Sequence, residues 1–406
     1  MTAVLETPVT PTGLAVLARV AFAGGDLAPF WNEACGRIGA DATDAAAAMD
    51  LSVIAQLVGH REDGLSLQAQ ALASRRVYSR PQQAARPSVR LLAFMAPGDF
   101  MANTPLEFLL ENSDVRLDMV YLTPDAPVPN RVPEHDLAIV AVAESEANRP
   151  ILHALEPIVR AWHRPVLNRP ERIAALSRDG ACALLRSAPG IEIPRTVRVG
   201  RAQLARLAVG KLRLEALLPG AAFPIIARPL ASHAGKGLAR LDDEAALRGY
   251  LAEQPEDTFY VAPFVDYRSA DGMFRKYRVA LIEGEAFACH MAISQHWMVH
   301  YLNAGMIEDA TKREEEARFM AGFDEGFARR HAGALRAITE RSGLDYVALD
   351  CGETPDGRLL IFEVDVAMIV HMMDPPDLFP YKQPQMRKVC DAFRRMLQRR
   401  GAPPTA

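Results

Sequence analysis

Two apolar runs joined by a turn constrain the C-terminal third of the chain more than any other feature. They read Tyr346-Val-Ala-Leu-Asp350, then Thr354-Pro-Asp-Gly357, then Leu359-Leu-Ile-Phe-Glu363-Val-Asp365. Proline second and glycine fourth in the tetrapeptide predict a β-turn, and the flanking runs predict an antiparallel hairpin. Strand geometry has period two, so Glu363 and Asp365 share one face while Phe362 and Val364 take the buried one. Pairing across the hairpin brings Asp350 opposite the end of the second strand. Three carboxylates gathered this way need positive charge, because their mutual repulsion would otherwise raise at least one pKa. Hard oxygen ligands of this kind suit Mg2+, or Mn2+ in its place, shared with substrate phosphates. A solvated acidic hairpin is the alternative that the same letters allow.

Composition excludes several classes. The 406 residues are 50% hydrophobic and 24% charged with a net charge of −4, which fits an ordinary protein of two or three domains. Lys and Arg (46) are outnumbered by Asp and Glu (50) and form no basic stripe, so no nucleic-acid partner is expected. The apolar run from Gly13 to Gly25 is broken by Arg19 and preceded by Glu6, as in a globular helix and unlike a signal segment. No stretch approaches the length of a membrane span, so no membrane association is expected. The cysteines, at 35, 182, 289, 351 and 390, lie far apart with no CxxC pair. That spacing predicts buried thiols in a reducing cytoplasm, with neither a disulfide framework nor structural zinc.

Three regions follow one another. Residues 1–80 read as a helical domain, with amphipathic segments at Leu14-Phe22, Leu27-Ile38, Thr43-Val58 and Asp63-Tyr78. Ile54–Gly59 followed by Gly64–Leu72 resembles a tetratricopeptide-type hairpin, able to bind a protein or peptide partner, although an αα-hairpin cap explains the pattern more simply. Pro81 to Pro87 read as a linker. Residues 88–170 alternate short strands (Val89-Ala96, Val115-Thr123, Leu137-Ala143) with helices (Pro105-Glu111, Ile151-Trp162), which predicts a small α/β layer. Thr104, Pro105 and Glu107 make a capping-box pattern. A helix start at a strand's carboxyl end could dock a substrate carboxylate near Asn103 and Thr104; structural capping is the competing reading.

Residues 171–400 carry the remaining candidates. Phe223-Pro-Ile-Ile-Ala-Arg228 reads as a strand ending in a cation, and Ser232-His-Ala-Gly235-Lys236-Gly237 as a loop whose glycines let backbone approach phosphate oxygens. The spacing is not that of a P-loop. Next come a strand running through Pro263-Phe264-Val265-Asp266 and a hairpin, Lys276-Tyr277-Arg278 through Glu283-Gly284. Basic strand end, glycine loop, hinge strand, arginine-bearing hairpin and Asp/Glu/Asp hairpin, in this order over about 90–400, resemble the ATP-grasp superfamily of carboxylate-amine ligases. Glutathione synthetase, D-alanine:D-alanine ligase and the ribosomal-protein glutamate ligases are of this kind.

The resemblance implies an ATP-grasp domain over 171–400, with a glycine-loop part at 190–255 and a metal-binding part at 256–400. It implies ATP held by Arg228, Ser232, Gly235, Lys236 and Gly237, with adenine on the Pro263 carbonyl and Val265 N–H beside Phe264 and Asp266. Asp350, Glu363 and Asp365 would be metal ligands, although relatives carry Asn where Asp365 stands. Arg228 and Arg278 would face the transferred phosphoryl group as catalytic residues. Two positions depart from the pattern: Gly180 stands where a lysine is usual, with Arg178 as its substitute, and Lys276 stands where a ribose-binding carboxylate is usual. Asp266 or Asp271 is expected to replace that carboxylate. His296, Trp297, His300 and Tyr301 lie where relatives contact substrate; core packing, or zinc on the two histidines, are the alternatives. His371 is expected to close over the acceptor site or to cap a loop. Glu308 to Arg341 read as a solvated charged helix. The implied reaction joins a small-molecule acid to an amine, either an amino acid or a peptide, through an acylphosphate with release of ADP and phosphate. A homodimer is compatible with this pattern. A kinase on a similar cleft and a degenerate nucleotide-binding module are the alternatives.

Overall fold

The computed structural model describes residues 7–81, 85–123, 128–129, 131–230, 232 and 235–402. Its architecture is mixed α/β with an N-terminal helical layer, as expected. The first sheet has the order β1-β3-β2-β4-β5, from β1 (Val77–Ser79), β2 (Val89–Met95), β3 (Val115–Tyr121), β4 (Leu137–Val140) and β5 (Val166–Leu167). Strands β2 to β5 run parallel, and β1 lies antiparallel on β3 with Val77 opposite Val120. Helices Leu14–Phe22, Ala28–Ala40, Ala45–Leu57 and Arg61–Ser74 precede it.

The last of these helices was expected to run on to Tyr78. It stops at Ser74, and Val77 and Tyr78 form the sheet's edge instead, with Val9 bridging Tyr78. β-branched and aromatic residues favour the strand once a partner edge is present, and only the tertiary fold supplies β3 as that edge. Residues 77–79 therefore pair within the α/β layer, on the far side of the linker that was expected to divide it from the helices. The capping box also differs. Thr104 donates to the Ala141 carbonyl, and Glu107 accepts from the Ala15 N–H, so this pair ties the α/β layer to helix Leu14–Phe22.

The second sheet has the order β7-β10-β8-β9, from β7 (Val197–Gly200), β8 (Ile225–Pro229), β9 (Ala239–Leu241) and β10 (Thr258–Pro263). It encloses its own apolar cluster around Leu204, Leu207, Ile225, Leu247 and Phe259. The third sheet, β12-β11-β13-β14-β6, uses β6 (Ile191–Glu192), β11 (Phe274–Ile282), β12 (Glu285–Ser294), β13 (Tyr346–Glu353) and β14 (Leu359–Asp365). The expected turns are present: Gly357 N–H donates to the Thr354 carbonyl at 2.8 Å, and Glu283 and Gly284 have φ of 49° and 86° between β11 and β12.

Helix Lys382–Gly401 locks the first sheet to the third. Its Val389, Phe393, Met396 and Leu397 are fully buried in one cluster with Leu91, Leu117 and Ile139 on one side and Ile282 and Tyr346 on the other. Burying a side chain of this size stabilises by roughly 1.5–3 kcal/mol, so the two sheets are held as one body. Among the described residues no helix is long and apolar enough to cross a membrane.

Candidate active site

Register across the third sheet sets the site. Arg278 on β11 pairs with Asp350 on β13, and Asp350 pairs with Glu363 on β14, with Asp365 one step along opposite Ala348. Directly opposed residues point to the same face of a sheet, so one row of charge crosses three strands. This is the arrangement that the hairpin reading anticipated for Asp350, Glu363 and Asp365.

The positive charge that three acids require comes in good part from the chain itself. Arg278 forks onto Asp350, Nε to Oδ1 at 2.8 Å and Nη2 to Oδ2 at 3.0 Å, and its remaining arm donates to the Ile369 carbonyl at 2.9 Å. Lys276 Nζ donates to Asp350 Oδ2 at 2.8 Å. Burial works to raise the Asp350 pKa, but these two cations outweigh it and hold the carboxyl far below the usual range. Arg178, at the start of helix Arg178–Leu185, donates to Glu363 Oε1 at 2.7 Å and to the Phe362 carbonyl at 3.1 Å. Burial opposes ionisation of Glu363 too, and Arg178 with Arg228 lowers its pKa overall.

Asp365 stands apart. It accepts the Ala367 N–H at 3.1 Å, and among the described residues it forms no ion pair. Burial, then repulsion from Glu363, pushes it up to about 7. Among the described residues no three His, Cys, Asp or Glu side chains converge as a metal-ligating group. Asp350 does not fit the expected ligand role, since both its oxygens are taken by Lys276 and Arg278. Glu363, with one oxygen on Arg178, and Asp365 fit better, because each retains acceptor capacity and together they lack a full complement of positive charge.

Gly180 has a steric explanation. A Cβ there would lie 2.5 Å from the Ala175 carbonyl oxygen and 2.8 Å from Ser177 Oγ, the helix cap. No lysine fits at that position without moving backbone, and Arg178 reaches the charge row from two residues earlier.

Arg228 sits at the carboxyl end of β8, 7% exposed, with Nε on Ser232 Oγ at 3.1 Å and Nη2 on the Ser232 carbonyl. Burial, and then the nearby Arg178, lowers it to about 10, which leaves it charged at neutral pH. The glycine loop beyond it is shaped by Gly235 and Gly237 at φ of 77° and 66°. A Cβ on Gly237 would meet Pro229 Cδ at 2.7 Å, and the Gly237 carbonyl accepts from Tyr250 OH at 2.8 Å. A Cβ on Gly235 would lie 3.4 Å from Met298 Sδ, so the loop reaches the 294–306 run. Lys236 is exposed.

The hinge closes a third side. Phe264 N–H donates to the Pro224 carbonyl at 3.0 Å, and the Phe264 ring lies edge-on to Trp297 at 5.8 Å with Arg240 4.5 Å above it. Pro263 ends β10, and the neighbouring Val265 N–H donates to nothing among the described residues. His300 is half-buried, and burial, then the charges of Lys276 and Arg278, lowers its pKa. Tyr301 donates to Glu316 Oε2 at 3.0 Å and packs against His290 at 4.7 Å.

Other candidates lie elsewhere or are already partnered. Asn103 uses both polar ends on Ala96, Oδ1 accepting its N–H at 2.7 Å and Nδ2 donating to its carbonyl at 2.8 Å, so it closes a strand end in the first sheet. Asp266 is exposed and paired with Arg268, and Asp271 is paired with Arg275. Both expected substitutes for the ribose carboxylate are thus neutralised. His296 is exposed. His371 Nδ1 accepts its own loop's Met373 N–H at 3.1 Å, and its ring packs 5.2 Å from Phe22 of the N-terminal layer.

Sequence reasoning missed a buried network beside Tyr301. Glu316 is fully buried, accepting the Met291 N–H at 2.9 Å and Tyr381 OH at 2.7 Å, while Lys382 Nζ lies 3.5 Å from it and 3.3 Å from Asp374. Glu316 belongs to the segment read as a solvated face, and nothing local distinguishes it from its exposed neighbours. His290 was missed for another reason: the turn's register would set Cys289 opposite Arg278, and a register shift between Arg278 and Val279 puts His290 there.

No family model matches the chain. Among solved structures it is similar to the RimK domain protein ATP-grasp from Sphaerobacter thermophilus, at 17% identity and a TM-score of 0.42, over 76% of this chain and 98% of that one. It is also similar to the VanG D-Ala:D-Ser ligase from Enterococcus faecalis, at 13% identity and 0.46, over 76% and 99%. A third is the D-alanine-D-alanine ligase from Coxiella burnetii, at 11% and 0.46, over 77% and 96%.

Proposed function

We propose that the chain is an ATP-dependent carboxylate-amine ligase of the ATP-grasp kind, forming an amide through an acylphosphate with release of ADP and phosphate. The observation that carries this reading is the charge row and what faces it. Four cations, Arg178, Arg228, Lys276 and Arg278, gather about three carboxylates, Asp350, Glu363 and Asp365, and Arg228 ends the strand that leads into the glycine loop. With Asp365 only partly ionised near neutral pH, positive charge is in excess, which suits a polyanion such as a nucleoside triphosphate.

In this reading Arg228 and the 235–237 backbone grip phosphate oxygens, and the Val265 N–H, without an acceptor among the described residues, receives the base together with the Phe264 and Trp297 rings. Mg2+, or Mn2+, would be held by Glu363 and Asp365 and would add Lewis-acid charge to the phosphates. The substrate carboxylate oxygen attacks the γ-phosphorus and the bond to the β-phosphate oxygen breaks, so ADP leaves. Arg278, clamped by Asp350 and the Ile369 carbonyl, cannot swing away and presents fixed charge to the equatorial oxygens. An amine then attacks the acyl carbon, phosphate departs, and the ammonium formed loses a proton. His300 and Tyr301 line the side where the acid and amine would meet. No protein nucleophile is needed, since positioning and fixed charge supply the acceleration.

The test is incubation with ATP, Mg2+ and amino-acid mixtures, read by nucleotide analysis, phosphate release and product mass. The ligase reading expects ADP and phosphate strictly dependent on an amine, with Glu363→Gln abolishing turnover. AMP with pyrophosphate would refute it, and a phosphorylated product made without amine would indicate a kinase. The ion pair of Lys276 with Asp350 favours one second reading, a nucleotide-binding protein without turnover. That reading expects ATP binding with no ADP formed under any substrate mixture.

A further inference from the structure

The three acids of the charge row offer two places where a cation could be shared, one between the opposed pair Asp350 and Glu363, the other between Glu363 and its strand neighbour Asp365. These places differ in what already fills them. At the first, Asp350 accepts three N–H bonds at 2.8 to 3.0 Å from Lys276 and Arg278, and Glu363 Oε1 accepts from Arg178. The Lys276 and Asp350 side chains are only 14% and 7% exposed, so the ammonium is not a surface group visiting a carboxylate. At the second place, Asp365 has no cationic partner among the described residues, and only the backbone N–H groups of Ala367 and Val366 approach it.

We propose that Lys276 is a tethered counter-ion standing where a divalent cation would otherwise bridge Asp350 and Glu363, so that the chain takes one divalent ion with its nucleotide, at Glu363 and Asp365. The inference rests on the nucleotide-binding reading given above and deepens it. An ammonium and a divalent ion cannot share Asp350 Oδ2 at bonding distance, because their charges repel in a cleft poorly screened by water. Lys276 reaches this position by sheet register. It lies two residues before Arg278 on β11, on the same face, and a two-residue step along the strand is within reach of a lysine side chain. Arg278, fixed by its fork and by the Ile369 carbonyl, leaves Lys276 as the removable member of the pair.

Mn2+ binding to the whole protein, with a non-hydrolysable ATP analogue, followed by electron paramagnetic resonance of the free ion, tests this without any turnover. The expected result is one Mn2+ per chain in the wild type, and a second, weaker Mn2+ in Lys276→Met. Lys276→Arg should remain at one, and thermal melting checks that each variant is folded. Two Mn2+ in the wild type, or one in a folded Lys276→Met, overturns the inference and leaves the ligase reading standing. If Lys276→Met does not fold, the wild-type stoichiometry decides: one supports the inference and two overturns it. Absence of any analogue binding would overturn the ligase reading and the inference together.

Discussion

Asp350→Asn separates an anchoring carboxylate from an open metal ligand, because the two roles predict opposite signs. The side chains of Asp350, Lys276 and Arg278 are 7%, 14% and 19% exposed, and three N–H groups converge on the two carboxylate oxygens. Asparagine keeps the shape but removes the charge and turns an NH2 toward donors. Removing one partner of a buried ion pair costs about 3–5 kcal/mol, since the remaining cations are left uncompensated. For a cooperative unit of roughly 400 residues at about 2.1 cal/mol/K each, this corresponds to a fall in Tm of about 4–6 °C. The assay is thermal melting with a chelator present and no nucleotide, so that no ligand contributes. Were Asp350 instead an unpaired member of an acidic cluster, neutralising it would relieve repulsion and raise the Tm. Glu363→Gln is the internal control: its side chain is 35% exposed and that of Arg178 24%, and a pair this open contributes about 0–1 kcal/mol. An Asp350→Asn melt within 2 °C of wild type, or a Glu363→Gln melt that falls as far, would refute the anchoring role.

Two further outcomes follow from the geometry. Gly237→Ala should weaken ATP-analogue binding by about tenfold or more in calorimetry, since the new Cβ meets Pro229 Cδ at 2.7 Å at a φ of 66° and such strain costs about 1–3 kcal/mol; Gly235→Ala, facing the end of flexible Met298 at 3.4 Å, should be milder, and equal effects would contradict the loop geometry. Burial works to raise Glu353, but hydrogen bonds from His331 and Arg330 bring it down to about 2, so its folded pKa lies below its ordinary value of 4.5. Its contribution, on the order of 3 kcal/mol by linkage, is therefore complete above pH 4.5 and lost as pH falls toward 2. Glu353→Gln should flatten the dependence of urea midpoints on pH across that window, and an unchanged acid limb would reject the assignment.

Local pattern reaches as far as its own range of interaction. The hairpin of β13 and β14 was legible because a turn tetrapeptide and period-two alternation mark both strands, but Asp350 meets Glu363 through a register shift between Asp350 and Cys351, without which the turn would set it against Phe362. The turn at Glu283 and Gly284 was legible for the same reason, as was helix Leu14–Phe22, whose apolar spacing needs no distant partner. Failures occur where a distant segment competes. Tyr78 left its helix for the edge that β3 provides, and Glu107 gave up its capping role to receive the Ala15 N–H. Asn103 closed on Ala96 when a substrate carboxylate had been expected. Glu316 is the plainest case, since no neighbour in sequence signals that Tyr381 and Lys382 will enclose it.

The sequence by itself determined the strands and turns of the third sheet and the shared face of Glu363 and Asp365, because strand period and turn chemistry are local properties, whereas Asp350 joined their row through a register shift in the hairpin. Only the tertiary structure decided which of those charges are already satisfied. Arg178 arrives from a helix that precedes the sheet's main strands in the chain, and Lys276 from the neighbouring hairpin, and each ends on a carboxylate that the letters alone had left to a metal ion. Electrostatic energy depends on separation in space and on burial, and neither is a property of position along the chain.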